Sequence, residues 1–108
     1  MPRPDVFVIN RERLLDAARR NFYPVGSPEL AIEVVSPSNT KRELLKKLRL
    51  YLDHGSSAVW IVYPKTRTVI VWDSPLTSCE YREGERIVLP SPLPQLPVDV
   101  SDISSALP

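Results

Sequence analysis

A chain of 108 residues with 43% hydrophobic and 25% charged residues has the size of one domain, 1–108, and the composition of a soluble globular protein, so wholesale disorder is excluded. Folding at this length hides about 65% of the surface that the unfolded chain exposes. A formal charge of +1, one cysteine (Cys79) and one histidine (His54) exclude a protein defined by overall basicity, an internal disulfide and any His- or Cys-rich metal cluster.

No apolar run reaches the roughly 18 residues of a membrane span. Residues 1–10 carry Pro2, Pro4 and Asp5 where a signal peptide needs a basic start and an apolar stretch. The expectation is a cytoplasmic protein with no membrane partner. Chemistry, if present, falls to carboxylates and lysines.

Residues 5–9 (DVFVI) form a short β-branched run suited to a buried strand. RERLLDAARR, within residues 10–29, predicts a helical turn or two, stopped by Pro24, Gly26 and Pro28. Residues 30–35 (LAIEVV) predict a second strand, with Leu30, Ile32 and Val34 on one face and Ala31, Glu33 and Val35 on the other. A glutamate thus sits inside an apolar strand. Thr40-Lys41-Arg42-Glu43 has capping-box form and opens a helix whose buried stripe is Leu44, Leu48, Tyr51 and Leu52, with Leu45 beside it. Gly55 supplies its left-handed stop. Residues 58–63 (AVWIVY) and 68–72 (TVIVW) predict an antiparallel hairpin across Pro64-Lys65-Thr66-Arg67. A further strand is expected over residues 80–89, interrupted near Gly84. The tail from Pro90, with four prolines by Pro97, is expected to run extended before residues 98–107 dock weakly.

Three charged groups converge if the first two strands are neighbours: Asp5, Glu33, and Lys47 on the helix that follows. Two strand carboxylates offer an oxygen-rich site to a hard divalent cation, Mg or Mn. A lysine beside them would position water or stabilise a pentavalent phosphate. These are the parts of a metal-dependent phosphodiesterase. Each also has a plain reading: Asp5 as a strand start in solvent, Glu33 on an edge strand pointing outward, Lys47 as a solvated helix residue. Glu33 resists that reading most, because an unpaired buried carboxylate costs several kcal/mol. His54 reads as a polar helix end, Cys79 as a small core or rim residue, and Trp60 and Trp72 as packing. Five basic residues and one acid between Lys41 and Arg49 make a local basic face, which solvation alone would also explain.

Pro4-Asp5-Val6, then Pro28-Glu29-Leu30-Ala31-Ile32-Glu33-Val34-Val35-Ser36-Pro37-Ser38, then Lys47 with Tyr51 and Gly55, then Trp60-Ile61-Val62 and Pro64 resemble the Uma-two family of restriction endonucleases. That family is similar to the PD-(D/E)xK nucleases. The resemblance implies an α/β, restriction-endonuclease-like fold, a mixed central sheet with one principal helix, that cuts DNA with magnesium. It implies Asp5 and Glu33 as metal-binding acids. The usual lysine, two residues after the glutamate, would fall at Val35, and Lys47 is implied as its replacement. Tyr63 stands where the family often has an acid before the late proline, and Ala58-Val59 where a Glu-Tyr pair commonly precedes the tryptophan. The family's N-terminal region before the Pro-Asp motif has no counterpart here, so the expectation is a shortened domain.

The expected function is magnesium-dependent phosphodiester hydrolysis on DNA, with Asp5, Glu33 and Lys47 as catalytic residues. The alternative is a catalytically inactive remnant acting as a protein-interaction or weak DNA-binding module. An uncovered sheet edge would favour a homodimer.

Overall fold

The computed structural model describes residues 6–8 and 28–106, with side chains described over residues 28–103. Five strands form one mixed sheet in spatial order β1 (Val6–Val8), β2 (Leu30–Val34), β3 (Ala58–Tyr63), β4 (Thr68–Ser74) and β5 (Thr77–Arg82). β1 pairs antiparallel with β2 through Val6↔Ile32, and β2 pairs parallel with β3 through Glu33↔Ile61. The remaining two pairings are antiparallel. A parallel pair needs a crossover, and helix α1 (Lys41–Asp53) supplies it. The expected α/β architecture, a mixed sheet with one principal helix, is the one found. The helix expected within residues 10–29 lies outside the described residues.

The period-2 alternation divides the apolar side chains into two layers. Ala31, Val59 and Ile61 meet Leu44, Leu48 and Tyr51 of α1. Leu30, Ala58, Trp60, Val62, Val69 and Val71 face the other way, onto Ile87, Leu93 and Val100. Both ends of α1 are capped as its sequence dictates. The Thr40 hydroxyl accepts from the Glu43 N–H at 3.1 Å. At the other end the Gly55 N–H donates to Leu52 O at 3.2 Å and the Ser56 N–H to Tyr51 O at 3.0 Å, the paired bonds of a Schellman motif.

Gly55 holds φ +106°, and a Cβ there would meet nothing within 4 Å. The cost of Gly55→Ala is therefore backbone strain alone, about 1 kcal/mol. We expect a lower urea midpoint with an unchanged slope.

Two expectations for the C-terminal half need correction. The strand expected from residue 80 begins at Thr77, and Pro75-Leu76 turns β4 directly into it. The tail does not dock weakly. β6 (Arg86–Val88) pairs with β7 (Pro97–Asp99), and α2 (Val100–Ala106) follows, with Val100 wholly buried and Leu93 nearly so. Proline removes a donor from a ladder, but Pro97 is the first residue of its strand, where none is needed. No helix among the described residues is long and apolar enough to cross a membrane.

Candidate functional site

Alternation along β2 turns Glu33 toward α1, beside Ala31 and next to Ile61 of β3, and leaves it 3% exposed. A carboxylate so placed requires polar partners. α1 provides two from one face. The Tyr51 hydroxyl donates to Glu33 Oε1 at 2.8 Å, and Lys47 Nζ lies 3.5 Å from Glu33 Oε2. Lys47 and Tyr51 are four residues apart, hence stacked on adjacent turns. The depth at which they meet the sheet is set by Leu44 and Leu48, buried on Ala31, Val59 and Ile61. Tyr51 is fully buried, whereas the Lys47 side chain keeps 34% of its surface in solvent. Its stem lies against the protein and its amine remains reachable.

The structure thus brings Glu33 and Lys47 together. Asp5 lies outside the described residues. Tyr51 is the partner that sequence reasoning missed: the helical period places it in the apolar stripe, and the family resemblance includes it without a role. Its signal was present: a buried tyrosine hydroxyl needs an acceptor, and its four-residue spacing from Lys47 aims both at one place.

A second buried carboxylate, Glu29, precedes β2 at 7% exposure. Four strand positions separate it from Glu33, about 13 Å, so the two do not share a site. His54 caps α1, its Nδ1 2.8 Å from Leu50 O. Trp60 is core and Trp72 packs on the α1 layer. Cys79, expected in the core or at its rim, is exposed on β5, a strand of which only Tyr81 packs against the core. Tyr81 beside it titrates above its usual 10.0, chiefly through a hydrogen bond with Cys79, then burial, then the charges of Cys79, Asp73 and Glu85.

The partners around Glu33 test the fit of a metal. Those described, Tyr51 and Lys47, are a phenol and an ammonium, and carboxylate with phenol suits a hard cation over zinc or copper. At 3.5 Å the lysine is an ion-pair partner, farther away than the roughly 2.7–2.9 Å of a tight charge-assisted hydrogen bond. Among the described residues no three His, Cys, Asp or Glu cluster to hold a metal. Glu33 fits as one oxygen ligand, and a complete site needs a further carboxylate beside it.

The turn after β2 sets where α1 begins. The Ser36 N–H donates to Asn39 Oδ1 at 2.9 Å, and the Asn39 N–H to Ser36 O at 3.0 Å, immediately before the Thr40 cap. From there Lys41, Arg42, Lys46 and Arg49 are exposed, a basic outer face on the helix whose border carries Lys47.

Among solved structures the chain is similar to a "putative nuclease belonging to DUF820" from Anabaena variabilis, with a TM-score of 0.65 and 24% sequence identity. The match covers 75% of this chain and 46% of the other, so the chain spans about half the length of that relative. At that identity the likeness concerns the fold. No curated protein matches the sequence significantly. The family model described as "Uma2: Putative restriction endonuclease" matches residues 1–101, nearly the whole chain. A buried strand glutamate tied to a lysine and a tyrosine of the crossover helix accompanies that match, and the chain belongs to the Uma2 restriction endonuclease family.

Proposed function

We propose that this chain is a magnesium- or manganese-dependent DNA endonuclease that hydrolyses phosphodiester bonds, with Asp5 and Glu33 holding the metal and Lys47 acting on water or phosphate. The observation that carries this reading is the buried Glu33 carboxylate, with Tyr51 at 2.8 Å on one oxygen and Lys47 at 3.5 Å on the other. Asp5 enters this reading through the resemblance of Pro4-Asp5-Val6 to the family's motif. Restriction-endonuclease-like families generally use divalent metals, and a bound ion supplies Lewis acidity toward a phosphoryl oxygen.

The chain's own residues have separable tasks. Tyr51 holds one Glu33 oxygen and so fixes the carboxylate's orientation. Lys47, partly in solvent, extends its positive charge toward an incoming phosphate and stabilises charge that grows in the transition state. Lys41, Arg42, Lys46 and Arg49 attract the DNA backbone without reading its sequence.

The direct test is nicking of supercoiled plasmid by the purified protein in magnesium, in manganese and in chelator. We expect cleavage with either metal and none with chelator. A folded protein that cleaves with neither metal would overturn the enzyme reading in favour of an interaction or weak DNA-binding module.

A further inference from the structure

β5 is an outer strand of the sheet, and β4 is its ladder partner. Along an antiparallel ladder, successive residues turn their N–H and C=O groups alternately toward the partner and away. Arg82 fixes the phase. Its N–H donates to Glu85 Oε1 at 2.8 Å and its C=O accepts from the Glu85 N–H at 3.0 Å, so Arg82 faces away from β4, and Glu80 and Ser78 with it. The turn that follows occupies the outward groups of Arg82. Those of Ser78 and Glu80 lie on an exposed edge.

We propose that this edge pairs antiparallel with the same edge of a second copy of the chain, about a two-fold axis through Cys79. Ser78 and Glu80 then exchange backbone hydrogen bonds with the partner's Glu80 and the partner's Ser78. Other registers are disfavoured by groups already described. Centring on Glu80 sets two carboxylates face to face, and centring on Tyr81 requires the Arg82 backbone that Glu85 holds. Centring on Ser78 requires the Leu76 N–H, which donates to Ser74 Oγ at 3.3 Å. With the axis at Cys79, Thr77 meets the partner's Tyr81, a β-branched and aromatic pair. Leu76, 92% exposed, meets the aliphatic stem of the partner's Arg82. Glu80 and Arg82 neutralise each other at 3.4 Å within each strand, so the edges approach without net repulsion. The junction is short, and the dimer it forms is weak. It is independent of the nuclease reading, since β5 lies three strands, about 14 Å, from β2.

This register sets the two Cys79 residues at a non-hydrogen-bonded pair, with Cα atoms about 4.5 Å apart, within disulfide reach. Diamide, a diazene, takes two electrons and two protons from such a thiol pair and becomes the hydrazine as the S–S bond forms. We expect wild type to give a covalent dimer on a non-reducing gel and Cys79→Ser to give none. Glu80→Pro removes an outward N–H while leaving the β4 ladder whole. Cross-linking should slow at least about tenfold, with circular dichroism unchanged; Ser78→Pro should do the same. Thr77→Cys in the Cys79→Ser background, off the axis, should cross-link poorly. A wild type that stays uncross-linked in diamide, sediments as a monomer at millimolar concentration, or cross-links no faster than the folded proline variants overturns the proposal.

Discussion

We expect Lys47→Ala to lower magnesium-dependent plasmid cleavage by about 10²–10³-fold, the range found when one preorganised electrostatic group is removed from a transition state. Lys46→Ala, the same change of charge one residue away, should weaken DNA binding slightly and leave the rate nearly intact. The contrast follows from helix geometry. Adjacent residues are rotated by about 100°, so Lys46 is exposed while Lys47 sits 3.5 Å from Glu33. The loss of stability in Lys47→Ala is small, about 1 kcal/mol. The Lys47 side chain is one-third in solvent, which screens its ion pair, and the Tyr51 hydrogen bond to Glu33 survives. Single-turnover cleavage with thermal melts of both variants checks the prediction. Equal cleavage by Lys47→Ala and wild type would reduce Lys47 to a counterion for Glu33.

Glu33→Gln keeps the shape of the side chain and lets Tyr51 donate to the amide oxygen, but removes the anionic ligand. Exchanging even an outer-shell partner of a metal ligand costs roughly 10–100-fold in affinity or activity, so exchanging the ligand should weaken magnesium binding by more than about 100-fold. Cleavage should fall with it. Stability should change little, because Lys47, one-third in solvent, can be hydrated once its partner is neutral, and Tyr51 still donates to the amide oxygen. Calorimetric titration with magnesium is the measurement, and an unchanged affinity would remove Glu33 from the metal site.

Local physics made much of the chain legible before any tertiary contact is considered. LAIEVV declares its two faces by alternation, and places the carboxylate of Glu33 on the face opposite Leu30 and Ile32. Thr40 with Glu43 marks the start of α1, and Gly55 its end, because orphaned backbone groups at helix termini have few ways to be satisfied. The expected strand starts three residues later than β5 does because, in TSCEYR, only Tyr81 packs against the core. A strand with one half-buried side chain carries no hydrophobic period for a reader to find. The docking of the tail was equally hidden. Val100 becomes a core residue only because Ile87, Leu93 and the strands of the central sheet, distant in sequence, close around it.

The same division runs through the candidate site. That an acid lies within an apolar strand, and that a lysine borders the buried stripe of the next helix, both follow from residue spacing. That Tyr51 and Lys47 reach separate oxygens of the one carboxylate emerges when the layers pack. The reason is physical: the height and rotation of α1 over β2 and β3 are set by Leu44 and Leu48 packing on Ala31, Val59 and Ile61, and close packing between layers is not encoded in any single segment.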